Sequence, residues 1–316
     1  LALSFSFALT AFGQVDSGFR NKAEARNLMV NGKKEGKWVE YQWRGQGITE
    51  DSNSELYILS VYKAGKYNGM TRGYWRKTQK LAWETPFVNG HINGLMKGYY
   101  ENGKVQWETP YVNGKQNGIA REYYESGVLM MEKPYVDGKE DGVEKTFYEN
   151  GKIMDETPYS GYEINGTEKR YRDDGTISQE ISYVNGVKTG IQKTYYLNGK
   201  LQSEIPWDRN IEKGIERWYY ENGNLRSEYP VYDSAIGQFK VYEMVNGIKK
   251  QYYENGAIQI EVPIKDSITK KGKWIELING TKKEYYETGK LKCETIYVNG
   301  KKKRKVKYDE NGNEIK

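Results

Sequence analysis

The chain has a single cysteine, Cys293, and a single histidine, His91. One thiol excludes an intrachain disulfide and any cysteine metal cluster. One imidazole excludes a zinc site built on histidines, and a Ser-His-Asp triad would have to use His91. That residue lies between Asn89-Gly90 and Asn93-Gly94, where the neighbouring copies of the pattern carry Lys115 and Lys139, so it reads as a turn residue. Proline is scarce, with 7 in 316 residues, and aliphatic material is thin. No glycine-rich phosphate loop is present, because the glycines fall in turn dipeptides. The only long uncharged apolar run is at the start, Leu1–Thr10, and it is too short for a membrane span. With Ala11-Phe12-Gly13 after it, residues 1–13 read as the latter part of a secretory signal peptide, which predicts export to the periplasm, the envelope or the medium.

What the chain does have is tyrosine, glycine and a period. There are 29 Tyr, 8 Trp and 35 Gly. Gly103, Gly127, Gly151, Gly175, Gly199 and Gly223 recur every 24 residues, and Gly256, Gly289 and Gly312 follow after steps of 33, 33 and 23. Each closes an element such as Tyr99-Tyr100-Glu101-Asn102-Gly103. A second turn lies at Asn113-Gly114 and Asn117-Gly118, so each unit is two strands and two turns. A fixed period of this length means stacked supersecondary units. The fold class expected is all-β: an elongated, twisted, single-layer antiparallel sheet of stacked β-hairpins.

Flanking residues repeat in phase with the glycine. Asn102-Gly103 read as a two-residue type I′ turn sets Lys97 against Glu108, Gly98 against Trp107 and Tyr100 against Val105. Eight units place a lysine or arginine six before the glycine and a glutamate five after it, which predicts rows of cross-strand ion pairs. A ladder of identical pairs is a structural device and does not split two carboxylates into the acid and base of a hydrolase. All seven prolines, from Pro86 to Pro263, share one phase, which predicts a strand end, a bulge or an edge-facing backbone there. The two 33-residue units carry nine extra residues, around Val231 to Phe239 and Ile264 to Lys271, read as longer loops or an added strand. Residues 14–72 hold fragments of the pattern, such as Asn31-Gly32-Lys33 and Asn68-Gly69, and read as degenerate repeats capping the array of 73–316.

The recurrent Tyr-Tyr-Glu-Asn-Gly-Lys-Leu element and the downstream Tyr-Val-Asn-Gly-Lys, as at Tyr123–Leu129, Tyr195–Leu201 and Tyr297–Lys301, resemble MORN-type repeats, in particular the bacterial MORN-variant unit. Such proteins are often grouped as a YwqK-like antitoxin family. The resemblance implies stacked hairpins, contact with proteins or membrane surfaces, and no catalytic residues to carry over.

The function expected is therefore a non-enzymatic exported scaffold that binds a protein partner, such as a toxin or an envelope protein. No cofactor or metal is expected. Acidic residues are interleaved with the basic ones almost throughout, and no nucleic-acid partner is expected from a net charge of +6. The alternatives are an antitoxin-like role, an envelope glycan stacked on aromatic rows, or an anionic membrane surface met by Lys301, Lys302, Lys303 and Arg304. The residues nominated for contact are those four with Tyr99, Trp107, Tyr111, Tyr123, Tyr135, Tyr195, Trp207 and Tyr219. In a stacked array each unit leans mainly on its neighbours. Gly151→Val should therefore raise hydrogen-exchange rates in the hairpins flanking residue 151 and leave distant repeats protected. Collapse of protection along the whole chain would contradict a quasi-linear array.

Overall fold

The computed structural model describes residues 17–43, 45–232, 246–268 and 274–315. Among them are thirty strands, one short 3-10 turn at Lys22–Glu24 and no α-helix. The signal-peptide reading of residues 1–13 lies outside the described residues, as does most of the first insertion. The chain divides into two compact units, residues 1–153 with 159–162, and residues 154–158 with 163–316. In each, strands pair antiparallel with their neighbours along the chain, giving an open sheet of hairpins.

The unit of Gly94–Tyr99, Val105–Val112, Lys115–Gln116 and Gly118–Tyr123 shows how the sequence builds the repeat. The glycine at the periodic turn closes a three-residue loop, not the two-residue turn expected. The Gly103 amide donates to the Tyr100 carbonyl at 2.9 Å, the Tyr100 amide donates to the Lys104 carbonyl at 2.9 Å, and Gly103 takes φ of 87°. That loop offsets the register by one, so Val105 faces Tyr99, not Tyr100. A bulge between Val105 and Trp107 takes up the offset and returns Gly98 to Trp107 and Lys97 to Glu108. The predicted charge pairing survives because two irregularities cancel.

Asparagine is at this turn for its amide rather than for positive φ. Asn102 Oδ1 accepts from the Lys104 amide at 2.9 Å, and Nδ2 donates to the Glu125 carbonyl of the next hairpin's turn at 3.1 Å. Lys104 Nζ reaches the Ser126 carbonyl at 2.6 Å. Asn198 and Lys200 do the same toward Glu221 and Asn222. The recurrent Asn-Gly-Lys is thus a clip between successive turns. The type I′ turn is the second one, where Asn113 and Gly114 take φ of 50° and 83°.

Proline marks a change of register. Glu108 pairs with Arg121 but Tyr111 pairs with Gln116, and Pro110 lies between them. The proline has no amide to donate, and its carbonyl accepts from Asn117 at 3.0 Å. Its ring packs on Gly118, where a Cβ would stand 3.0 Å from Pro110 Cγ. Pro134 with Gly142, Pro158 with Gly166 and Pro206 with Gly214 repeat the contact. Of the strand end, bulge or edge-facing backbone that the proline phase allows, the structure shows the bulge.

The N-terminal region carries the best-buried apolar cluster. Lys33–Gln42 pairs from Gly36 onward with Leu56–Lys63, which pairs with Gly69–Trp75. Phe19, Tyr57, Leu59 and Tyr74 pack together, with Leu59 wholly buried. The fragments noted in the sequence repeat the later geometry: Ala64-Gly65 forms the positive-φ pair, and the Asn68 amide donates to the Val61 carbonyl as Asn117 does to Pro110. The second insertion lengthens one hairpin, with Ile258–Ile268 running on to pair with Trp274–Ile278. Asn198→Asp keeps the acceptor and removes the donor to Glu221, so it should lower stability by about 1 kcal/mol. Urea denaturation checks this, and an unchanged midpoint would mean the clip contributes nothing.

Candidate binding surface

Pairing and alternation define two faces. One face carries, in the Gly94–Tyr123 unit, Leu95, Lys97, Tyr99, Glu108 and Pro110, then Ile119, Arg121 and Tyr123. The opposite face carries Gly98, Trp107, Tyr111 and Tyr135. The residues nominated from sequence therefore do not form one surface. Tyr99, Tyr123, Tyr195 and Tyr219 are on the first face. Trp107, Tyr111, Tyr135 and Trp207 are on the second. Lys301, Lys302, Lys303 and Arg304 line an exposed strand, Lys301–Tyr308, near the C-terminal end.

The four tyrosines of the first face are engaged within the sheet. Tyr99 donates to Glu84 at 2.7 Å, Tyr123 to Glu108 at 3.0 Å, Tyr195 to Glu180 at 2.7 Å and Tyr219 to Glu204 at 2.9 Å. Tyr171, Tyr252 and Tyr285 do the same to Glu156, Glu228 and Glu261. Each bond ties one hairpin to the one before. The glutamate also lies between two bases, as Glu108 does between Lys97 and Arg121. The expected register places each base opposite its glutamate, but the lysine contacts are loose: Lys97 stands 3.9 Å from Glu108, and Lys250 stands 3.9 Å from Glu228 of the preceding hairpin, not from the expected Glu261. Arginine sits closer, with Arg121 Nε 2.8 Å from Glu132 and Arg217 Nε 3.1 Å from Glu228. The second tyrosine of each pair is also fixed, for Tyr100, Tyr124, Tyr196 and Tyr220 donate to backbone carbonyls of the following hairpin.

Burial, and then the bond to a carboxylate, push the hydroxyls of Tyr171, Tyr195, Tyr219, Tyr252 and Tyr285 up to about 12. For Glu228, burial acts upward, but the Tyr252 hydroxyl and Arg217 outweigh it and hold the carboxyl below its usual range.

On the second face, Trp107 lies flat on the sheet: a Cβ on Gly98 would stand 2.3 Å from its ring. Trp207 is capped by Lys188, whose Nζ lies 4.7 Å from the ring centroid. Lys133 bridges Glu140 and Glu144 at 3.3 and 2.8 Å and sits 5.7 Å from the Tyr159 ring centroid. This face is a mixture of aromatic rings and closed ion pairs.

Sequence reasoning missed the aliphatic residues of the first face. Eight before the periodic glycine stand Leu95, Ile119, Val143, Ile191, Ile215 and Ile248, and nine after it stand Val112, Val136, Val184 and Val298, all exposed. Most large exposed hydrophobic residues of the described chain fall in these phases. The signal was legible as a constant spacing, but only strand alternation with Lys97 and Glu108 puts these residues on the same face as the charges. In each unit they form a stripe beside the base–glutamate–tyrosine ladder.

A family model described as MORN repeat variant matches residues 92–113, 116–137, 140–160, 164–185, 188–209, 212–232, 245–266 and 278–299. These eight segments cover more than half of the chain. The chain belongs to the MORN repeat variant family. The first matched segment begins just past one type I′ turn and ends at the next, so the family unit is the hairpin centred on the periodic glycine. MORN repeats generally serve as scaffolds for protein or membrane interactions. Comparison with curated proteins gives no match. Among solved structures, "Crystal Structure of TcdB2-TccC3" aligns over 91% of this chain and 20% of that chain, at 10% identity and a TM-score of 0.13. That likeness is too slight to carry an argument, and this chain spans a fifth of the protein it was aligned to.

The tyrosine bonds give a pH signature for this MORN array. A hydroxyl with a folded pKa near 12 and an unfolded one of about 10 stabilises the fold fully below pH 10 and loses that contribution as pH rises through 12. The urea midpoint should fall over that window. Tyr219→Phe should cost about 1–2 kcal/mol at neutral pH and flatten the decline. A variant with the parent's midpoint and the parent's alkaline slope would show that the ladder contributes no stability.

Proposed function

We propose that the chain is a non-catalytic MORN scaffold, exported from the cell, that binds a protein partner on the aliphatic stripe of its first face. The observation that supports this is the stripe's regularity. Leu95, Ile119, Ile191, Ile215 and Ile248 are each more than a third exposed, at one phase, next to prolines and beside tyrosines and charges already satisfied within the sheet. Large apolar side chains held in a row in water fit a surface completed by another molecule. The satisfied ladder supplies a rigid, polar rim. Satisfied carboxylates at every repeat also leave no pair poised for acid–base chemistry.

Protein is favoured over lipid because the stripe is aliphatic and flanked by glutamate as often as by base. An anionic surface would meet the Lys301–Tyr308 strand instead. Among the described residues no helix is long and apolar enough to cross a membrane.

The test uses the whole chain and a double variant, Ile191→Glu with Ile215→Glu. Affinity capture from the native source should retain a protein in fixed stoichiometry, through a salt wash that would strip charge-only contacts. The double variant should weaken its binding by about 100-fold, from two lost apolar contacts of roughly 1.5 kcal/mol each. Retention on anionic vesicles, lost on deleting residues 300–316, with no protein captured, would overturn the reading in favour of a membrane surface. Hydrolytic turnover abolished by a single Glu→Gln change would overturn the non-catalytic part.

A further inference from the structure

The chain places a segment of itself on the first face. Ser17, Gly18 and Phe19 cross the hairpin of Gly69–Trp75 and Leu81–Val88 on the side that carries Arg72, Tyr74 and Glu84. Arg72 Nη1 donates to the Ser17 carbonyl at 2.8 Å and to the Phe19 carbonyl at 3.4 Å. Its Nε stays on Glu84 at 3.3 Å. Phe19 is almost fully buried against Tyr57, Leu59 and Tyr74, with Leu81 beside them. Gly18 is pressed on Met70, and a Cβ there would stand 2.4 Å from the Met70 carbonyl oxygen. The recognition is therefore specific: a backbone carbonyl, a glycine that no other residue replaces, then an aromatic anchor.

Part of this receiving group recurs twice at the same phases, although Leu59, cross-strand from Arg72, gives way to Glu108 and Glu204 at the two copies. Arg121 and Arg217 stand where Arg72 does, each with Nε on its cross-strand glutamate, at 2.8 Å to Glu132 and 3.1 Å to Glu228. Two residues before them are Ile119 and Ile215 in place of Met70, each paired with a proline as Met70 is with Pro86. Two residues after them are Tyr123 and Tyr219 in place of Tyr74, each paired with a leucine, Leu129 or Leu225, as Tyr74 is with Leu81. The sites differ also in coverage. The Arg72 side chain is 6% exposed, while those of Arg121 and Arg217 are 36% and 37%. Arg121 lies on the same sheet face as the chain's own packed segment, so its surroundings continue an interface the molecule already uses.

Arginine matters here because its fork can bind a carboxylate through Nε while a terminal nitrogen serves a carbonyl. Six other repeats carry lysine at this phase, Lys97, Lys145, Lys169, Lys193, Lys250 and Lys283, and an ammonium has no such fork. The three arginine repeats are thus distinguished within an otherwise uniform ladder. Arg217 is the cleaner of the two exposed copies, since Arg121 also turns Nη1 toward Glu108 at 3.7 Å.

We propose that Arg217 with Ile215, Tyr219 and Leu225, and Arg121 with Ile119, Tyr123 and Leu129, are docking sites for an extended segment of a partner protein that carries a glycine–aromatic step. The partner's carbonyls accept from the arginine fork, its glycine lies over the isoleucine and its aromatic ring seats between tyrosine and leucine. This inference rests on the protein-binding reading above and names the kind of segment that reading requires.

The test titrates the full chain into a fluorescent peptide of sequence Ser-Gly-Phe-Arg-Asn-Lys-Ala-Glu-Ala, the segment of residues 17–25. Anisotropy should show saturable binding, weakened about tenfold by Arg217→Lys and further by the double variant with Arg121→Lys. Lysine keeps the charge and is native to this phase in six repeats, so the fold is retained. Peptides with glycine replaced by alanine, or phenylalanine by alanine, should bind at least tenfold more weakly to the parent chain. Undetectable binding at millimolar chain, or binding unchanged in the double lysine variant, would overturn the proposal. So would binding abolished by Arg72→Lys alone, which would mean that the peptide merely exchanges with the chain's own segment. A native partner held equally by the parent and the double lysine variant, yet lost with Ile191→Glu and Ile215→Glu, would sink this inference and leave the scaffold reading standing. Peptide binding without any native protein partner would do the reverse.

Discussion

The interaction on which the rest depends is the hydrogen bond from one hairpin's tyrosine to the glutamate of the hairpin before, as from Tyr219 to Glu204. A two-stranded hairpin is marginal in water by itself. This chain has little aliphatic material with which to build a conventional core. Its solution is to bury a carboxylate partly in most repeats, set a tyrosine hydroxyl and bases around it, and pass the arrangement on. The carboxylate is shared between hairpins, so none of them can satisfy it alone. Stability is therefore a property of neighbours.

That arrangement settles which residues are available for binding. Tyr123 and Tyr219 look like display residues when counted along the chain. Their hydroxyls are committed to Glu108 and Glu204, and what their rings offer outward is an apolar edge. The aliphatic residues two positions before each base have no such commitment. They stand exposed beside a rigid ladder, which suits recognition of an extended chain because the scaffold loses little freedom when it is covered. The N-terminal hairpins show the finished form: Phe19 and Arg72 close over the same face, and the wholly buried Leu59 lies beneath them.

Much of the hairpin array was legible from spacing. The 24-residue glycine period marked the hairpin centres, the Lys97–Glu108 register held, and the proline phase marked an irregularity, which the structure shows as a change of register at Pro110. The turn type was not legible. Asn102-Gly103 has the composition of a type I′ turn, yet the tighter turn is at Asn113-Gly114. The discriminating fact is the bond from Asn102 Nδ2 to the Glu125 carbonyl, which exists only once two hairpins are side by side. The nominated aromatic residues divide between two faces by strand alternation, Tyr99 with Lys97 and Trp107 with Gly98.

The sequence by itself determined an all-β repeat array, its hairpin centres, the family and the pairing of base with glutamate, because each of these follows from period, alternation and turn chemistry within about two dozen residues. Only the tertiary structure decided which tyrosines are spent inside the sheet, that Leu95, Ile119 and Ile215 share a face with the ladder, and that Ser17–Phe19 folds onto Arg72. Those are contacts between residues in different hairpins or more than fifty positions apart. No local rule ranks them, because burial and hydrogen-bond competition are decided only when the hairpins have stacked.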